Sequence, residues 1–161
     1  MYGQVKSILQ NALSVYYINE DLLKELKPDI ILTQSQCEVC AVNEKDVKSM
    51  VKNITGINPD IISVEPNSVK DIFEDIKIIA EVLNVVDKGA DLIDFMKNRI
   101  RTLKKSYDVK LELTVAAIEW IDPLMAAGNW VPELIEMAGG INLFGEAGKH
   151  SPWMEYKDLI E

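Results

Sequence analysis

A chain of 161 residues, 48% apolar and 27% charged, has the balance of a globular protein and room for one domain or two small lobes. Its formal charge of -9 and pI near 4.7 exclude a nucleic-acid surface, which needs clustered Lys and Arg on one face. No run approaches the roughly 20 apolar residues that span a bilayer, so the chain is not expected to cross a membrane. The opening MYGQVKSILQNALS lacks the basic, apolar, small-residue order of an export signal, so the chain is expected to be cytoplasmic if Met1 is its native start.

In chain order, PDIILTQ (28–34) and PDIISVE (59–65) are short β-branched runs bounded by Pro-Asp and polar residues, the pattern of buried parallel strands. Between them NEKDVKSMVKN predicts a helix, with Asn43 as N-cap, Asp46 three residues on, and Val47 and Val51 on one face. A second helix is predicted from Ser68, capped with Asp71, and carries Val69, Ile72, Phe73, Ile76, Ile79, Ala80 and Leu83 at helical spacing. A third, from Asp87 to about Lys105, aligns Ala90, Ile93, Met96, Ile100 and Leu103. Its basic run Lys97, Arg99, Arg101, Lys104 and Lys105 reads as a solvated face near a helix C-terminus. The period then changes to that of a strand in VKLELTVAAIEW (109–120). After the turn IDPLMAAG, NWVPELIEMAGG predicts a helix capped by Asn129, with Pro132 in its first turn and Gly139 and Gly140 closing it. The fold class is α/β, with two strands before the long helix and one after it. Sheets this small leave open edges, which predicts pairing between copies in a homo-oligomer.

Both cysteines, Cys37 and Cys40, lie in QCEVC. Two thiolates at this spacing supply half a zinc site, but His150 is the one histidine and no third cysteine exists, so no metal centre is expected. A redox pair at a helix start remains open, although Glu38 opposes thiolate formation. No nucleophile elbow, HExxH or Gly-rich phosphate loop occurs, and the chain is not expected to be an enzyme. Glu119 with Asp122 is a weak acid and base pair among 26 acidic residues. The tryptophans are more informative. Trp120 ends a strand and Trp130 begins a helix, the ends of α/β elements where ligands collect, and Trp153 sits in the loop KHSPWMEY.

LKPDIILTQSQCEVCAV, followed by IEWIDPLMAAGNWVPELIEMAGG and SPWMEYKDLIE, resembles the periplasmic-binding-protein superfamily of ABC transporters, and within it the cobalamin and iron-siderophore class. The resemblance covers almost the whole chain. It implies two Rossmann-like lobes, both incomplete here, with 1–84 part of the first, 85–107 a linking helix and 108–161 part of the second. It implies capture of a ligand in an inter-lobe cleft, with cobalamin or a ferric siderophore as ligand and no cofactor. Gln34, Ser35, Gln36 and Cys37 would face that ligand from the first lobe, and Glu119, Trp120, Trp130 and Trp153 from the second. Docking on the permease would use Glu44 in the first lobe and Glu155 or Asp158 in the second. Family members are extracytoplasmic. The alternatives kept beside this reading are a CxxC redox or metal-handling protein and an oligomeric interaction module of the same fold.

Overall fold

Pro28 and Pro59 each stand just before an extended run, and in the computed structural model those runs pair as expected. The structure describes residues 19–35, 48, 51–53, 56, 58–106 and 113–160. Strand β1 (Ile30–Gln34) lies parallel to β2 (Asp60–Val64), with Ile30 opposite Asp60 and Gln34 opposite Val64. Helix α1 (Glu20–Leu26) precedes them, an element not anticipated above. Its signals are local: Asn19 accepts a hydrogen bond from the Leu22 N–H at 3.0 Å, Glu20 and Asp21 fill the first turn, and Lys27 closes the helix with φ 42° before Pro28. Residues 51–53 are helical and Val51 is buried, as the predicted helix requires; Asn43, Asp46 and Val47 lie outside the described residues.

The chain divides into two compact units, residues 1–65 and 66–161. In the second, α2 (Val69–Val82) opens with the predicted capping box. The Asp71 N–H donates to Ser68 Oγ at 3.2 Å, and Asp71 Oδ2 accepts from the N–H groups of Ser68 (2.8 Å) and Asn67 (3.0 Å). Helix α3 (Val86–Ser106) follows after a short break at Asn84, which has φ 56°. The α3 stripe is shifted from the expected one: Gly89 is buried, Ile93, Met96 and Ile100 are half-buried, and Ala90 and Leu103 are exposed. Gly89 is the reason, because a Cβ there would run into the Ala80 side chain, so the helices approach most closely where α3 has none. Lys97 lies 5.2 Å from the centre of the Phe73 ring, a cation–π contact from α3 to α2.

The long strand expected over 109–120 is interrupted. Of it the described residues form β3 (Thr114–Val115) and β4 (Ile118–Trp120), which enter different sheets. β3 pairs in parallel with β6 (Ile141–Asn142), and β4 pairs antiparallel with β5 (Met125–Ala126). Between β5 and β6 runs α4 (Val131–Met137), with Pro132 fully buried in its first turn and Gly139, at φ 88°, after its end. The N-cap of α4 is Trp130, with no side-chain cap; Asn129 is instead a left-handed residue at φ 52°. Glu133 ties α4 to α2, its Oε2 accepting from the Val69 N–H at 2.9 Å. A 3-10 turn (Tyr156–Leu159) follows the final loop.

Two carboxylates on α2 titrate in opposite senses. Hydrogen bonds from Ser68 and Asn67 hold Asp71 below the usual carboxylate range, so its stabilisation is present above that range and is lost as pH falls through the lowered value. Burial pushes the Asp75 carboxyl up, with the Asp71 charge adding to it, and Asp75 Oδ2 is buried without a hydrogen-bond partner. The charged form of Asp75 therefore opposes folding at neutral pH and ceases to do so on acidification. Asp75→Asn is expected to raise the melting temperature at pH 7, with the gain shrinking toward pH 4, as read by circular dichroism. An equal gain at both pH values would show that charge is not its cause.

Candidate functional site

In the second unit the sequence EWIDPLMAAGNW folds back on itself, and residues 149–154 close over it. β4 and β5 meet at Trp120 opposite Met125, and Met125 in turn forms an antiparallel bridge with Trp153. Directly opposed residues share a face of a sheet, so Trp120, Met125 and Trp153 form one row with the methionine in the middle. Both indoles are about half exposed, 47% for Trp120 and 54% for Trp153. The Trp120 ring is held by its Nε1–H, which donates to the Asp122 carbonyl at 2.8 Å. The Tyr156 hydroxyl donates to the Ile121 carbonyl at 2.6 Å, which ties the 3-10 turn to the same bend.

Register shifts between Ile118 and Trp120, so two residues of β4 oppose one of β5. Such a bulge re-aims the side chains at its centre. Here it carries Glu119, whose exposed carboxylate accepts a 2.5 Å hydrogen bond on Oε2 from the Ser151 hydroxyl. Ser151 is only 4% exposed, and its Oγ also accepts from the Gly128 N–H at 3.0 Å. Backbone bonds from Ala126 N–H to the Pro152 carbonyl, Met154 N–H to Leu124, Asn129 N–H to Lys149 and Gly148 N–H to Asn129 complete the closure. Beneath lie Leu124, Ala126 and Ala127, all buried. Small residues there let the loop sit close: a Cβ on Gly128 would stand 2.5 Å from the Lys149 carbonyl oxygen and 2.6 Å from the Ser151 nitrogen.

Of the residues singled out from sequence, Glu119, Trp120 and Trp153 are brought together in this fold-back. Trp130, at the start of α4, is half-buried and takes its place through the backbone, its carbonyl accepting from the Leu134 N–H. Glu155 and Asp158 lie beside Trp153, and with Met154 and Lys157 they line an open concavity of about 420 Å³. Asp158 is drawn inward, its Oδ2 accepting from the Glu155 N–H at 2.8 Å, whereas the Glu155 side chain is 72% exposed and paired with Lys157 at 2.8 Å. In the first unit Gln34 is exposed at the end of β1. Ser35 links β1 to β2, its Oγ accepting from Ser63 and donating to Glu65, each at 3.2 Å. Gln36, Cys37, Cys40 and Glu44 lie outside the described residues. Sequence reasoning missed Met125 and Ser151, the two residues that join the others. Among the described residues no group of three or more His, Cys, Asp or Glu is placed to hold a metal, and no helix is long and apolar enough to cross a membrane.

Residues 9–155 match the model of a family described as periplasmic binding protein. No curated protein matches the chain. Among solved structures, a possible iron-binding, periplasmic solute-binding protein from Staphylococcus epidermidis is similar with a TM-score of 0.70 at 17% identity, over 89% of this chain and 55% of that one. The vitamin B12 binding protein of Vibrio cholerae gives 0.59 at 17%, over 89% and 54%. The siderophore binding protein of Vibrio cholerae, solved with Fe3+-Desferal, gives 0.63 at 15%, over 86% and 54%. The chain spans about half the length of these structures, whose shared α/β fold it has.

Because the nearest atoms to a Cβ on Gly128 are backbone, they cannot swing aside. Gly128→Ala is therefore expected to lower the stability of this unit by about 1–3 kcal/mol in urea unfolding and to shift tryptophan emission, as the loop lifts from β5. An unchanged midpoint would mean that the loop is free to move.

Proposed function

Since the chain belongs to the periplasmic binding protein family, whose members are extracytoplasmic substrate-binding proteins and not enzymes, we propose that it captures a metal chelate, cobalamin or a ferric siderophore, for an ABC importer. The observation that carries this reading is the row of Trp120, Met125 and Trp153, with its two indoles about half exposed, beside the fixed carboxylate of Glu119. Such a row offers flat apolar faces to a large, partly apolar ligand, with a polar group at its edge to orient it. The ligands of the similar proteins, vitamin B12 for one and an iron-loaded siderophore for another, support the same ligand class.

Trp130 joins this wall in the proposal, and Gln34, Ser35, Gln36 and Cys37 are the contacts assigned to the first lobe. The lobes are taken as 1–84 and 108–161 with the helix of 85–107 between them. The packing of α2 on α3 explains why residues 66–84 fall in one compact unit with the later ones. For docking on a permease, Glu44 is assigned in the first lobe. In the second, Glu155 or Asp158 is assigned; both carboxylates are engaged within the turn, Glu155 with Lys157 and Asp158 with the Glu155 N–H. Self-association is part of the reading, because each sheet of the described residues has two strands and leaves edges unpaired.

Titration of the full chain with cobalamin and with ferrioxamine B, followed by tryptophan fluorescence and calorimetry, tests capture. Saturable quenching is expected, and Trp153→Ala is expected to weaken binding about 2- to 12-fold, the equivalent of about 0.5–1.5 kcal/mol for one aromatic contact. Neither quenching nor heat at high micromolar concentration of either ligand would remove this function from the chain.

A further inference from the structure

Capture of a chelate leaves open what charge the chelate carries. We propose that Ser151 is a positioning residue that fixes Glu119 as a hydrogen-bond acceptor on the aromatic wall, and that the wall therefore prefers chelates bearing a cationic or donor group over anionic ones. This rests on the reading above and adds the ligand's charge class to it.

The proton count fixes the direction of the chain of hydrogen bonds. A hydroxyl has one proton to give, and the Gly128 N–H already points at Ser151 Oγ, so the Ser151 proton goes to Glu119 Oε2. Ser151 cannot easily turn away, because it is buried and held between residues that are themselves bonded to 126–129. One oxygen of Glu119 is thus pinned from within, while its side chain stands at the surface at the bulge next to Trp120. Among the described residues the other oxygen has no partner in the fold and remains an acceptor for a ligand.

Few basic residues stand in this stretch to offset that charge, His150 beside Ser151 and two lysines among them. Between residues 113 and 160 the sequence has no arginine and two lysines. Lys149 pairs with Glu146 at 2.7 Å and Lys157 with Glu155 at 2.8 Å. An anionic chelate set against Trp120 and Trp153 would meet a carboxylate held in place, with both cations already spent on other acids. An ammonium group in the same position would gain a charge-assisted hydrogen bond to Glu119 and the attraction of an indole face.

A ligand series that changes only the terminal charge tests this: ferrioxamine B with its free ammonium, its N-acetyl derivative, which is neutral, and its N-succinyl derivative, which is anionic. With the full chain, the ammonium form is expected to bind about five- to tenfold more tightly than the acetyl form, the succinyl form more weakly still, and the spread to narrow at high salt. Glu119→Gln, whose amide oxygen can still accept from the Ser151 hydroxyl, is expected to bring the three to within about twofold. Ser151→Ala is expected to narrow the spread, and Ser151→Thr, which keeps the hydroxyl, to restore it. Equal affinities for the three forms in the unaltered chain, a preference for the succinyl form, or an unchanged spread in Glu119→Gln would overturn the inference while leaving chelate capture standing. Failure of all three forms and of cobalamin to bind would instead remove the capture function on which it rests.

Discussion

The approach of residues 149–151 to Gly128 is the constraint on which the second unit's surface depends. Where any side chain at 128 would collide with backbone, glycine lets two stretches more than twenty residues apart run side by side. The consequence is cumulative. Ser151 reaches the Gly128 N–H, its hydroxyl reaches Glu119, and Trp153 comes level with Met125 and so with Trp120. A buried serine at that point satisfies a backbone donor that would otherwise cost about 1–3 kcal/mol to leave unpaired.

Packing beneath this surface is thin but specific. Leu124, Ala126, Ala127 and Pro132 are buried, and three of the four are small or rigid residues that lose little side-chain entropy on ordering. Large apolar groups, including Ile121, Phe95 and Leu143, are half or more exposed. Stability in this unit leans on backbone hydrogen bonds and on the α2–α3 contact rather than on a deep aromatic core. Both indoles of the row are about half exposed at that surface.

Much of the fold was legible in the sequence because its signals are local. The Pro-Asp runs gave parallel strands, Ser68 and Asp71 gave a capping box, and helical spacing gave α2 and α3. What escaped was either a short element or a distant pairing. Helix α1 has seven residues, and its apolar positions blend into the strand that follows, although Asn19 and Lys27 mark its ends. The strand expected over 109–120 read as one because alternation continues through it; only the partners, β6 for Thr114 and β5 for Ile118, divide it. At the candidate site the tryptophans and Glu119 were visible as residue types in suggestive places. Ser151 was not, since nothing in KHSPW announces a hydroxyl that bonds a carboxylate 32 residues away.

The row of Trp120, Met125 and Trp153 also acts as a ruler. Adjacent strands lie about 4.8 Å apart, so the two tryptophan backbones, separated by the methionine strand, stand about 10 Å from each other. On the proposed capture function, a compact chelate laid on this surface would cover one indole and the thioether, whereas a broad macrocycle would rest on both at once. Breadth, independently of chemistry, would thereby decide how many aromatic faces a guest engages.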